Sequence, residues 1–169
     1  MKSKVVLIKA GAVLLLSGVI GLSYVKAAEM VAKKEFTLKQ IGSVQVKGES
    51  TTLVMDKDVE PALLGLDAYS HVQVFWWFDK NDTPQKRSIL QVHPRGNPEN
   101  PLTGVFACRA PMRPNLIALT LCKIISVKGN VVEIETIDAF DGTPVLDLKG
   151  YIPALDSAEK VTFPARRFK

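Results

Sequence analysis

The run Gly104–Pro153 constrains the fold more than any other part of the chain. It holds two β-rich segments, Leu116–Val127 and Val131–Ile137, joined by Lys128-Gly129-Asn130. A glycine-centred turn between β-branched runs predicts a β-hairpin. A polar, turn-rich loop stands on each side of it. Cys108–Asn115 carries two arginines and two prolines, and Asp138–Pro144 carries two aspartates and a Gly-Thr-Pro. The hairpin is long enough to hold a basic loop and an acidic loop at a fixed separation. That is a frame for a zwitterionic ligand, and periodicity alone names none.

The rest of the chain reads as short strands with little helix. Phe36–Val46 and Thr51–Met55 are β-like around a turn at Lys47–Ser50, with Gly42 a candidate bulge. Asp56 is placed to cap a short helix over Lys57–Leu64, which Pro61 limits to a turn or two and Gly65 ends. Ser70–Phe78 (SHVQVFWWF) is the most β-prone run. Its adjacent Trp76 and Trp77 point to opposite faces, one toward the core and the other toward a second covering element or subunit. Further short strands are predicted at Ser88–Val92 and Thr103–Cys108. An irregular tail, Ala154–Lys169, has one β-like piece near Val161–Phe163. The spacing predicts a mainly β barrel or sandwich. There is no internal repeat, P-loop, nucleophile elbow or dinucleotide fingerprint.

The first 27 residues differ from the remainder. Lys2 and Lys4 precede an apolar run, Ala10–Val25, and Val25-Lys26-Ala27 offers a cleavage spacing. A signal peptide and an uncleaved N-terminal membrane anchor, with residues 10–25 in the bilayer, are both compatible with this layout. This segment holds four lysines and no acid, so removing it leaves 18 basic against 17 acidic residues, a net +1. The bulk charge therefore carries no nucleic-acid footprint. The one basic cluster, Arg166-Arg167-Phe168-Lys169, reads as a solvated tail. The two cysteines, Cys108 and Cys122, have no metal-site spacing. They are read as separate small apolar residues, with a disulfide the alternative if the chain is exported. His71 and His93 are isolated and read as structural.

Four motifs occur in order: Leu66-Asp67-Ala68-Tyr69-Ser70-His71-Val72, Gly104–Pro111 (GVFACRAP), Arg113-Pro114-Asn115 and Asp141–Asp147 (DGTPVLD). Together they resemble the TsaA-like (TrmO) family over about Phe36–Asp156. The resemblance implies a small, dimerising β-barrel with one short helix, here preceded by an N-terminal hydrophobic helix. It divides the chain into a signal or anchor (1–27), a linker (28–35), the barrel domain (36–156) and a tail (157–169). The implied activity is S-adenosylmethionine-dependent N6-methylation of threonylcarbamoyladenosine 37, with tRNA as partner.

Carried over by motif, the implied cofactor pocket falls on Asp79 and Lys80, on Arg109, on Leu119, and on Asp138, Ala139, Phe140 and Asp141. An arginine suits the carboxylate of S-adenosylmethionine, and aspartates suit its ammonium or ribose hydroxyls. If a general base is used, Asp79 and Asp138 are the candidates. Arg113 is balanced between ligand contact and pinning a loop, and Asp147 is read as part of an internal network. The chain departs from the family pattern. It lacks a Pro-Arg-Gln near Val46–Thr51, has Asp79 where histidine is usual, and has Cys108, Ala110 and Leu116 where threonine, serine and proline are usual. Gly150 precedes Tyr151 where the pattern has proline or another residue with a side chain. The alternative reading is an exported, catalytically altered binding module that keeps the barrel. Export or membrane anchoring is the expectation for location, with the cytoplasm following if residues 1–27 are not a working signal.

Overall fold

A computed structural model describes residues 34–48 and 50–164. The signal-like segment 1–27, most of the linker and the basic end at 166–169 lie outside the described residues. The barrel strands are β1 (Gly42–Lys47), β2 (Ser50–Met55), β3 (His71–Trp77), β6 (Ile117–Lys128), β7 (Val131–Ile134) and β8 (Pro144–Gly150). They close in the order β1-β2-β7-β6-β3-β8, every pair antiparallel. A separate two-stranded sheet pairs β4 (Gln91–Val92) with β5 (Thr103–Gly104). Among the described residues, helix is limited to two single turns, α1 (Pro84–Arg87) and α2 (Pro153–Asp156), and several 3-10 turns.

Alternation makes the barrel interior. On β3, Val72, Val74 and Trp76 are buried while His71, Gln73, Phe75 and Trp77 face outward half-exposed. Val44, Leu53, Met55, Ala118, Cys122, Val132, Ile134 and Val145 fill the same core. The outward face of β3 is covered by long cationic side chains from this chain, not by a second sheet. Lys149 lies 5.7 Å over the Phe75 ring and Arg87 5.2 Å over Trp77.

The expected elements differ in places. Gly42 is not a bulge: it pairs with Met55 on one side and Val145 on the other, at the seam where the sheet closes. A Cβ there would lie 2.7 Å from the Val54 carbonyl oxygen and 2.9 Å from the Met55 Cα, so the site admits only glycine. The register shifts fall instead at Phe75/Trp76 and Ile124/Ser126. Lys57–Leu63 is a 3-10 helix without a side-chain cap from Asp56, and Gly65 ends it in the left-handed region at φ 82°. Residues 34–41 form no strand, and Thr103–Cys108 is a two-residue strand that turns into a 3-10 helix over Val105–Ala107. Val161–Phe163 is not a strand.

The Gly42→Ala change tests the seam. Overpacking against backbone is expected to cost about 1–3 kcal/mol, seen as a lower urea midpoint with an unchanged slope. An unchanged midpoint would show that the seam has room for a side chain.

Candidate functional site

The hairpin of β6 and β7 turns at Gly129, in the left-handed region at φ 57°. It brings the segment before β6 and the segment after β7 to one end of the barrel. There they surround a cavity of about 890 Å³, within the range of small-molecule sites. The basic loop contributes Cys108, Arg109 and Arg113, and the acidic loop contributes Asp138, Phe140 and Thr143. The turn after β3 contributes Phe78, Asp79, Lys80 and Asn81. Trp76, Ile117, Leu119, Thr120 and Leu121 form the wall, and Phe106 stands beside them.

Local chemistry fixes each part. The Phe78 amide donates to the Leu116 carbonyl at 2.9 Å, which ends β3, and a 3-10 turn over Asp79–Asn81 follows. The Asp79 carboxylate lies 3.3 Å from the Lys80 ammonium. Thr83 caps α1 by accepting from the Lys86 amide at 3.2 Å, and Pro84 occupies its first turn. That turn presents Arg87, which donates to Asp82 at 2.8 Å and to the Pro114 carbonyl at 3.0 Å while lying over Trp77. Arg87 thereby ties the Asp79–Asn81 side of the cavity to the Arg113-Pro114-Asn115 loop. Its hydrogen bond, and one from the Trp77 indole at 3.1 Å, hold the Asp82 carboxyl below the usual carboxylate range.

Arg109 donates one hydrogen bond to the Leu119 carbonyl at 2.8 Å, which fastens the basic loop to β6. Four of its five N–H donors are left for other partners. Arg113 makes a longer contact, 3.4 Å, to the Ala110 carbonyl. Inside the mouth, the Trp76 indole donates to the Thr120 hydroxyl at 3.1 Å and meets Phe78 edge-to-face at 4.7 Å.

Of the residues expected in the pocket, Asp79, Lys80, Arg109, Leu119, Asp138 and Phe140 surround this one cavity. Ala139 and Asp141 do not line it. Ala139 turns inward against the barrel core, and the Asp141 carboxylate accepts from the Val46 amide at 2.9 Å, clamping the acidic loop to β1. Asp147 is no buried network: it accepts from its neighbour's amide and pairs with Lys149 at 2.7 Å near the surface. The sequence reading did not single out Phe78, Phe106, Thr120 or Phe163 for the site, nor Arg87 as its brace. Phe106 falls inside the Gly104–Pro111 motif, the one sequence signal that points to it, and it stands 80% exposed at the cavity.

Both cysteines are free thiols. Cys108 lines the cavity, and Cys122 points into the barrel, where burial pushes its thiol from 9.0 up to about 11. Iodoacetamide at neutral pH is therefore expected to label Cys108 well before Cys122 in the folded chain. Because the folded value is raised, the Cys122 contribution to stability is complete below pH 9 and is lost as pH rises toward 11. Equal labelling of both thiols would contradict the burial.

The tRNA-methyltransferase O N-terminal domain family matches residues 31–157. A probable S-adenosyl-L-methionine-binding protein of Methanocaldococcus jannaschii is 44% identical over 122 residues, covering 72% of this chain and 96% of that one. The human tRNA (adenine(37)-N6)-methyltransferase is 42% identical over 109 residues, 64% of this chain. The match spans 24% of that enzyme, about a quarter of its length. The solved structure of TrmO from Pseudomonas aeruginosa superposes with a TM-score of 0.62 at 24% identity, covering 79% of this chain and 62% of that one, and shows the shared fold. Barrel, motif order and family match agree: the chain belongs to the tRNA-methyltransferase O N-terminal domain family.

Proposed function

We propose that this chain binds S-adenosylmethionine in the cavity at the barrel mouth and methylates N6 of adenine 37 in tRNA, as threonylcarbamoyladenosine. The observation that carries the reading is the clustering of opposite charges, Arg109, Arg113 and Lys80 against Asp79 and Asp138, around an aromatic cavity of ligand size. That lining fits a ligand with a carboxylate, an ammonium and an adenosine. When bound, the cofactor supplies an electrophilic methyl on a sulfonium, and transfer to N6 leaves the thioether and releases the N6 proton.

The chain's own part is alignment and exclusion of water. Arg109 offers its remaining donors to the carboxylate. Asp79 and Asp138 accept from the ammonium or ribose hydroxyls, and either is placed to take the departing proton. Trp76, Phe78, Phe106 and Phe140 supply aromatic surface around the adenine and the acceptor base. Ala139 and Asp141 serve the site indirectly, by seating the acidic loop.

The outward row Ile117, Leu119, Leu121 and Ile125 on β6 is exposed by 38–57%. Lys123 interrupts this row and its Ile117–Leu121 part also walls the cavity, and exposed apolar side chains of this kind support the proposal that the chain is a homodimer. Residues 1–27 bear on where the reaction takes place. Cleavage after Ala27 would carry the domain away from tRNA and favour a binding role without methyl transfer. Retention of the segment, with the domain on the tRNA side of a membrane, keeps the methyltransferase reading.

The test is calorimetric titration of the full-length chain with S-adenosylmethionine, with transfer of labelled methyl to tRNA as the activity readout and sedimentation of the same sample for oligomeric state. Micromolar binding, about −8 kcal/mol, is expected, weakened roughly 10- to 100-fold in Arg109→Ala by loss of a charged hydrogen bond. A folded chain that binds no S-adenosylmethionine would sink the assignment, and a monomer would sink the dimer.

A further inference from the structure

The segment after α2 has no role in the barrel, yet it returns to the site. Residues 158–164 lie beyond the family-matched region, which ends at residue 157. The last hydrogen bonds that hold this end of the chain are those of the Ser157 amide and hydroxyl to the Pro153 carbonyl, at 3.1 and 2.6 Å. Among the described residues, none is made from Ala158 onward. Every residue from Ala158 to Pro164 is exposed. Lys160 adopts the left-handed region at φ 54°, one of two non-glycine residues among those described to do so, and the chain bends at Glu159–Lys160. Beyond that bend Phe163 and Pro164 stand at the cavity and form part of its lining. Phe163 is 67% exposed there. An aromatic ring held at the rim of a cavity, by a segment with no hydrogen bonds of its own, gains surface burial only when something fills the cavity.

We propose that Ala158–Pro164 is a strap that closes over the occupant of this cavity, with Phe163 as the positioning residue whose ring covers the ligand. The proposal rests on the S-adenosylmethionine reading of the site. The ring offers a flat apolar face to an adenine, and sequence-tolerant stacking of this kind is a common way to hold a base. The strap slows ligand escape and keeps water from the reacting methyl without contributing a charged contact. Because it breaks no hydrogen bond in moving, its closure leaves the barrel unchanged.

The test titrates four proteins with S-adenosylmethionine: the full-length chain, the chain ended after Ser157, and full-length Phe163→Ala and Phe163→Tyr. Apo thermal midpoints are expected to coincide, since the strap is not part of the fold. Affinity is expected to fall about tenfold in the shortened and Phe163→Ala forms, the loss of one aromatic face. The change is expected mainly in the dissociation rate, and Phe163→Tyr should retain binding. Equal affinity in all four forms would overturn the strap and leave the methyl-donor site standing. Tighter binding by the shortened chain would also overturn it, because the segment would then obstruct the cavity. Failure of the unaltered chain to bind would remove the methyl-donor reading, and the strap with it.

Discussion

Closure of the barrel between β1 and β8 is the constraint on which the site depends. The seam is short: Gly42 faces Val145 and Ser43 faces Pro144. It is extended by backbone bonds that run directly into the acidic loop. Ile41 donates to Val145, Val44 donates to Thr143, and Gly142 donates back to Val44, at 2.8–2.9 Å. The Asp141 carboxylate adds a further bond from the Val46 amide. One set of interactions therefore closes the sheet and fixes the loop that carries Asp138 and Phe140. The family motif Asp141–Asp147 is thus in part a folding device, and its glycine at 142, with φ 80°, makes the turn that allows it.

The opposite wall of the cavity depends on a different kind of brace. The backbone ladder between β3 and β6 ends at the Phe78–Leu116 bond, and beyond it, among the described residues, no backbone bond links the turn after β3 to the Arg-Pro-Asn loop. Arg87 does so, with its guanidinium on Asp82, on the Pro114 carbonyl and over the Trp77 ring. A planar cation with several donors can satisfy all three partners at once, as a lysine could not. The charged side chains at the cavity therefore sit on rigid supports, one backbone and one side chain. Such preorganisation suits a reaction whose main demand is alignment.

Much of the barrel was legible in the sequence because burial alternates along it. Ser70–Phe78 and the two arms around Lys128-Gly129-Asn130 emerge as strands close to their predicted limits. The hairpin also foretold that the basic and acidic loops share one end. Legibility failed where pairing is short or absent. Ser88–Val92 and Thr103–Cys108 contain β-prone residues but reduce to the two-residue strands β4 and β5, paired only with each other. At the site, residue types that match a ligand were separated by geometry no pattern encodes. Asp138 lines the cavity while Asp141, three residues on, is spent on the Val46 amide. Arg87 reaches a carbonyl 27 residues away, and Phe163 returns from a tail with no periodicity. Long-range contacts of single side chains leave no local signal.

The account stands or falls on where the methyl donor binds. Backbone amide shifts of the isotope-labelled full-length chain, recorded while S-adenosylmethionine is added, measure that directly. The predicted result is a saturable set of changes confined to Phe78–Asn81, Phe106–Arg109, Ile117–Leu121, Asp138–Thr143 and the Ala158–Phe163 strap, around the barrel mouth. Changes centred instead on the shallow cleft formed by Lys57, Glu60, Leu64, Asp67 and Gly129, or no changes at all in a folded chain, would contradict it.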